Sequence, residues 1–230
     1  MPVDPEDSAA RRGGFVTAEA GWSLLIPLKR LGQAKTRLAD AASDELRPAL
    51  ALAFALDTVA AALACDAVRD VTVVTDDPVA GERLAALGAF VAADAEGGGL
   101  NAALVQGAAF VRARRPDAPV AALNADLPAL RAAELGVALG AAGAFVRAFL
   151  ADAEGVGTTL LTAASGVALN PAFGGPSRAR HRASGAREIV AAGVASVRRD
   201  VDTAADLRAA LALGVGPYTS VAAAELRAAR

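Results

Sequence analysis

The sequence predicts an α/β protein: a mostly parallel sheet covered by helices. Short apolar runs rich in β-formers alternate with longer Ala/Leu/Arg segments of helical period. Turn and cap residues punctuate the two kinds of segment. The chain of 230 residues shows one composition regime and sits near the upper end of one compact domain.

The first strand is Trp22 to Leu28. A long helix follows from about Asp44 to Ala64, with Ser43 or Asp44 as its N-cap and Pro48 close to the first turn, where proline is tolerated. Strand two, Val71 to Thr75, runs into the acidic pair Asp76 and Asp77. Pro78 to Leu87 is a helix stopped by Gly88, Phe90 to Ala92 a third strand, and Leu100 to Arg114 a helix after the Gly97-Gly98-Gly99 loop. Val120 to Leu123 is a buried central strand that runs into Asn124, Ala125 and Asp126. Beyond Pro128 the pattern predicts a helix near Arg131 to Leu139, strands near Phe149 to Ala151 and Thr159 to Ala163, and a helix from Ser177 to Ala191. A strand Ser196 to Arg198 and a helix Thr203 to Leu213 complete it. Met1 to Ala20 lacks any period and is read as a mobile leader, leaving residues 21–230 as the single domain.

Composition narrows the function classes. Hydrophobic residues reach 54% through Ala, and aromatics are 4%, so the core is built from Leu, Val and Ala. The 23 basic and 25 acidic residues are mixed along the chain, which offers no basic face for nucleic acid. One cysteine, Cys65, allows neither an intrachain disulfide nor a thiolate metal cluster and fits a reducing cytoplasm. No uninterrupted apolar run approaches the roughly 18 residues of a membrane span, so no membrane partner is expected.

The clusters that carry chemistry fall at carboxyl ends of strands or at helix starts, the edge where open α/β sheets bind ligands. Lys29 to Arg37 brings four cations into nine residues and holds both lysines of the chain, Lys29 and Lys35, where every other basic residue is Arg. A compact ammonium suits triphosphate oxygens; a solvated basic turn is the plain alternative. Asp126 ends a buried strand, where a carboxylate is costly unless a metal or a hydrogen-bond network holds it. Asp202 follows the same logic, although Asp202-Thr203 is also a good helix start. Asn170 to Ser177 joins flexible glycines to a serine at a helix N-terminus, a seat for an anion or an ordinary turn into a helix. Gly157-Thr158-Thr159 offers hydroxyl and amide donors to the same anion, and Gly97 to Asn101 lets backbone approach a base or ribose. His181, the one histidine, lies four residues after Ser177 and is more often a packing residue than a catalyst. No Ser-His-Asp set, histidine metal cluster, Walker loop or strand-linked Gly-x-Gly-x-x-Gly can be assembled, leaving metal-assisted phosphoryl or nucleotidyl transfer.

Taken together, Pro27-Leu28-Lys29 with Ala34 to Leu38, Thr75-Asp76-Asp77, Gly98 to Asn101, Ala125 to Pro128, Gly157 to Thr159 and Phe173 to Ser177 resemble the guanylyltransferases of the deazaflavin coenzyme F-420 pathway. That family acts on phosphoenolpyruvate or 2-phospho-L-lactate. The likeness spans about Trp22 to Leu213. It implies a three-layer, Rossmann-like nucleotidyltransferase fold with a mixed, mostly parallel sheet and helices on both faces. It implies Mg2+, GTP as donor, a phosphorylated three-carbon acid as acceptor and hand-over of the product to the next transferase of the pathway. By the same likeness Lys29, Lys35, Arg37 and Asp126 are catalytic, and Asp126 and Asp202 hold metal. Thr158, Gly174 and Ser177 contact phosphoenolpyruvate, and Thr75, Asp76, Gly99 and Asn101 contact the nucleotide. Asn124 departs from the related Asp-x-Asp motif and leaves the second metal's ligands open. The acid itself also stays open among phosphoenolpyruvate, 2-phospho-L-lactate and 3-phospho-D-glycerate. A sugar-phosphate or molybdopterin nucleotidyltransferase is the second enzyme reading, and a non-catalytic nucleotide-binding regulator is the rival of another class.

Overall fold

A computed structural model of the protein describes residues 21–33, 46–94 and 98–228. The expected leader, the N-cap at Ser43 or Asp44, and the cations Lys35 and Arg37 lie outside the described residues.

Seven strands form one sheet: β1 (Trp22–Pro27), β2 (Val68–Val74), β3 (Phe90–Ala92), β4 (Val120–Leu123), β5 (Arg147–Ala151), β6 (Thr158–Ala163) and β7 (Arg187–Glu188). Their order is β3-β2-β1-β4-β6-β5-β7. β1 pairs parallel with β2 and β4, and β2 pairs parallel with β3. β6 runs antiparallel to β4 and β5, while β7 is parallel to β5. The carboxyl ends of β1 to β5 and the amino end of β6 therefore share one edge of the sheet.

Both faces are covered, as near-continuous apolar strands require. On one face Trp22, Leu24, Ile26, Val71 and Val73 pack against α1 (Leu46–Leu63), α2 (Pro78–Ala86) and α4 (Ala132–Ala142). On the other, Leu25, Val120, Ala122, Phe149 and Leu161 meet α3 (Gly99–Arg114). Gly107 lets α3 lie close, because a Cβ there would stand 2.7 Å from Val74 Cγ2 and 3.2 Å from Leu25 Cδ2. The mixed, mostly parallel sheet with helices on both faces is the architecture expected.

Three stretches differ from the sequence reading. The helix from Ser177 ends at Ala183 as α5, because Gly185 turns the chain at φ +84° and residues Arg187–Glu188 then join the sheet as β7. Ser196 to Arg198 is not a strand but part of a one-turn helix, α6 (Ala195–Arg198). Its contacts with α4 decide this: Ser196 N–H donates to Glu134 Oε2 at 2.8 Å and Ser196 Oγ accepts from Arg131 N–H at 3.1 Å. The helix expected at Thr203 is α7 (Ala204–Leu213), with Thr203 as N-cap in a capping box with Asp206. A last helix, α8 (Pro217–Ala228), was not anticipated.

By length and composition, α1 is apolar enough to cross a membrane, which the search for uninterrupted runs missed because Arg47 and Asp57 break the stretch. In the fold 56% of it is buried, as in the core helix of an α/β protein. Its Asp57, 4% exposed, accepts Tyr218 N–H at 3.1 Å and Thr219 N–H at 2.7 Å, capping α8 from a distant part of the chain. Gly216 makes room for it, since a Cβ there would lie 2.2 Å from Asp57 Oδ1. Replacing Asp57 by Ala leaves one buried and one half-buried amide without an acceptor and should lower stability by about 2 kcal/mol. Denaturant unfolding measures this, and a loss below a few tenths of a kcal/mol would mean that α8 is held by packing alone.

Candidate active site

The loops at the shared edge are tied to one another before any ligand is considered. Lys29 stands exposed just past β1. Next to it Arg30 Nε meets Asp76 Oδ2 at 2.7 Å, and Leu31 N–H donates to Asp77 Oδ2 at 2.9 Å. Asp77 also caps α2 through Ala80 N–H, and its own N–H donates to Thr75 Oγ1 at 3.1 Å. Thr75 and Asp76 thus lie beside Arg30 and Leu31, with Asp76 already engaged by a cation and Thr75 buried.

The acids gather at the next loops. Asp126 follows β4, and its loop is clamped by Thr58 of α1, whose Oγ1 accepts Leu127 N–H at 3.0 Å and shares its hydrogen between the carbonyls of Phe54 and Ala125. Val201 N–H donates to the Asp126 carbonyl at 3.0 Å, drawing in the segment that carries Asp200 and Asp202. Asn124, in the place of an acid, donates from Nδ2 to Asp200 Oδ2 at 3.3 Å. Asp152 stands nearby with its carboxylate on the N–H groups of Val156 (2.9 Å) and Gly157 (2.7 Å). Burial, and then the charges of Asp126, Asp202 and Asp152, push the Asp200 carboxyl up to about 7.

The sequence singles out Asp126 and Asp202 and passes over Asp200, whose carboxyl feels the charges of both. The signal was present: Asp200-Val201-Asp202 is itself an Asp-x-Asp spacing, placed after a segment misread as a strand. Among the described residues no group of three or more His, Cys, Asp or Glu side chains forms a ready-made metal cage. The donor set suits a hard divalent cation such as Mg2+ nonetheless. It offers carboxylate oxygens only, and this ion commonly takes one or two carboxylates and completes its shell with substrate phosphates and water.

The opposite side of the edge carries Thr158, Gly174 and Ser177. Gly157 has no room for a side chain, because a Cβ would lie 2.4 Å from Asp152 Oδ2 and 3.8 Å from Ser177 Oγ. This places the start of β6 against Ser177. Gly174 and Gly175 take φ of +93° and +47°, backbone that side chains rarely adopt. The loop before them is clamped from several directions. Arg147 donates to the carbonyls of Leu169 and Asn170, Arg180 to those of Ala172 and Phe173, and His181 Nε2 accepts Ala172 N–H at 2.9 Å. The helix N-terminus expected to offer its amides does so less than anticipated: Ser177 N–H bonds the Gly175 carbonyl and Arg178 N–H the Val156 carbonyl.

Gly99 opens α3 at φ +70°. Asn101, expected on the nucleotide, instead pairs with the backbone of Phe173, accepting its N–H at 2.8 Å and donating to its carbonyl at 3.2 Å. A nucleotide contact from this amide would compete with that pair.

Residues 22–224 match the family described as guanylyl transferase CofC like. The phosphoenolpyruvate guanylyltransferase of Streptomyces coelicolor is 68% identical over 205 residues, covering 89% of this chain and 97% of that protein. Among solved structures, a nucleotidyl transferase from Methanothermobacter has a TM-score of 0.56 at 17% identity, covering 84% of this chain and 97% of that one. A Mycobacterium tuberculosis protein solved in complex with manganese has a TM-score of 0.50 at 20% identity, covering 84% and 99%. The solved structures share the fold.

His181 gives a pH prediction. It is fully buried, and burial first, then the nearby Arg147 and Arg180, hold its imidazole down to about 4. An unfolded His181 takes up a proton below about 6.5, whereas the folded one resists until near 4. Its stabilisation is therefore complete above pH 6.5 and is lost as the pH falls toward 4. The stability advantage of wild type over His181→Gln should shrink by roughly 3 kcal/mol between pH 7 and pH 4. Denaturant unfolding of both proteins at each pH reads this, and a constant difference would show that the imidazole titrates at its ordinary value.

Proposed function

The chain belongs to the guanylyl transferase CofC-like family, and from that premise we propose that it transfers GMP from GTP to the phosphate of phosphoenolpyruvate. The products are enolpyruvyl-diphospho-5'-guanosine and pyrophosphate, on the way to deazaflavin coenzyme F-420. The observation that carries this reading is the meeting, at one sheet edge, of Asp126, Asp200 and Asp202 with the lysine loop on one side and a clamped loop of hydroxyls and glycines on the other. The high identity to a phosphoenolpyruvate guanylyltransferase favours that acid over 2-phospho-L-lactate and 3-phospho-D-glycerate. Retention of the acids favours turnover over a non-catalytic regulator.

An oxygen of the acid's phosphate attacks the α-phosphorus of GTP. A new P–O–P bond forms as the bond to the β-phosphate oxygen breaks, and pyrophosphate leaves with the electron pair. The attacking phosphate is already ionised near neutral pH, so the chain needs no general base, in keeping with a buried, neutral His181. Lys29 neutralises the triphosphate, a task also assigned to Lys35 and Arg37. Asp126 and Asp202, with Asp200 beside them, would hold Mg2+, which when bound supplies charge neutralisation for the nucleotide phosphates and the leaving pyrophosphate. Thr158, Gly174 and Ser177 orient the acid, while Thr75, Asp76, Gly99 and Asn101 border the nucleotide. We place the reaction in the cytoplasm, with the product passing to the next transferase.

The direct test incubates the protein with Mg2+, GTP and each of the three acids separately, with mass spectrometry of products and pyrophosphate release. A guanosine diphosphate ester from phosphoenolpyruvate is expected, and formation of the ester from another acid alone would reassign the substrate. Asp126→Asn keeps shape and removes charge; it should lower kcat about a hundredfold or more with an unchanged unfolding midpoint. Near-normal turnover would sink the metal assignment.

A further inference from the structure

His181 bonds two partners, and only one arrangement of protons satisfies both. Ala172 N–H, 2.9 Å from Nε2, is a backbone donor and can do nothing but donate. Nε2 must therefore carry the lone pair. A neutral imidazole then bears its proton on Nδ1, which lies 2.9 Å from Thr158 Oγ1 and donates to it. The threonine oxygen is occupied as an acceptor, and its own hydrogen must be directed elsewhere. Thr158 is 4% exposed, and among the described residues no carbonyl or carboxylate receives that hydrogen. Phe149 and Phe173, with ring centroids 5.8 and 5.1 Å away, fix the imidazole plane, so the donor is held in one direction.

We infer that His181 is a positioning residue: locked as the Nδ1–H tautomer, it makes the Thr158 hydroxyl an obligate donor and so selects a ligand that presents an acceptor oxygen, a carboxylate or phosphate. This deepens the reading of Thr158, Gly174 and Ser177 as the acid subsite and rests on it. His181 itself neither touches the acid nor exchanges protons with it. The same residue pins the backbone of the Gly174 loop through Ala172, so one side chain sets both walls of the subsite.

Because the chain has one histidine, histidine labelled with nitrogen-15 gives one imidazole to observe. At pH 7 Nδ1 should appear as the protonated nitrogen and Nε2 as the unprotonated one; the reverse overturns the inference. Saturating inorganic phosphate should shift the Nδ1 signal without changing the tautomer, and an unmoved signal means that Thr158 does not face the anion.

Kinetics supply the second arm. His181→Gln keeps an acceptor near the Nε2 position for Ala172 but removes the donor to Thr158. It should raise KM for phosphoenolpyruvate roughly tenfold while KM for GTP and kcat stay within about twofold. Thr158→Val should raise KM for phosphoenolpyruvate by a similar factor, and the two changes together should raise it no more than either alone. His181→Asn, which places an amide N–H near Nδ1, should recover part of the loss. Additive effects, or an equal rise in KM for GTP, would reduce His181 to a packing residue. If wild type transfers GMP to none of the acids, the functional reading fails, while the tautomer and phosphate shifts still decide the role of His181.

Discussion

Four carboxylates are held at one sheet edge against their mutual repulsion, and much of the surrounding structure is what keeps them there. Each is restrained differently. Asp126 is fixed by its backbone, between the Thr58 hydroxyl of α1 and the Val201 amide. Asp152 is fixed by two loop amides, Asp200 by Asn124, and the Asp202 segment by the Thr203 and Asp206 capping box. Burial first, and then the like charges of Asp126, Asp202 and Asp152, raise the Asp200 carboxyl to about 7. Such an arrangement survives because packing elsewhere, the sheet between α1 and α3 above all, supplies more stabilisation than the cluster removes. An opposite charge arriving at that edge converts the repulsion into attraction, so the strain of the free protein favours cation binding.

The edge divides into two chemical halves. On the β1 and β2 side the loops carry cations and acids close to solvent, suited to a polyphosphate that must enter and leave. On the β6 side, contacts are made by buried neutral donors and by backbone clamped in left-handed turns, suited to a small rigid anion. Arg147 and Arg180 lie on that side too, yet their guanidinium groups are committed to the carbonyls of the loop. Their charge therefore shapes the loop more than it neutralises a ligand, and it adds to burial, the larger cause, in keeping His181 unprotonated.

The strands and helices from Trp22 to Leu139 were legible because each pairs an apolar pattern with a local stop: Pro78 and Gly88 for α2, Gly99 for α3, Pro128 after β4. Beyond Phe149 the deciding interactions are tertiary. Nothing in Ala195–Arg198 favours a helical turn over a strand until Glu134 and Arg131 of α4 bond Ser196. The N-cap of α8 lies far away in sequence, on Asp57, and α8 was missed for that reason. Asp200 was passed over, and Asn124, which departs from the Asp-x-Asp pattern, turns out to donate a hydrogen bond to it. The positions of Lys29, Asp126, Thr158 and Ser177 in the fold were readable because each sits at the boundary of a strand or a helix, which the local pattern reveals.

The Thr158 donor recognises that an acid is bound but not which one. Phosphoenolpyruvate, 2-phospho-L-lactate and 3-phospho-D-glycerate all carry a carboxylate and a phosphate, so a hydroxyl aimed at an acceptor oxygen treats them nearly alike. A site separates such ligands strongly only where it places a buried polar group against the atom that differs, because the wrong ligand then strands that group unpaired. A methylene against a methyl offers no such handle and is resolved by shape alone, at about 1–3 kcal/mol. Shape requires rigid walls, and rigidity is what Arg147, Arg180, Asn101 and His181 confer on residues 169–174 by bonding their backbone from four side chains. Selectivity among the acids thus depends on the stiffness of this loop more than on any single contact to the ligand. Substitutions that loosen it without touching the subsite would broaden acceptance before they abolish turnover.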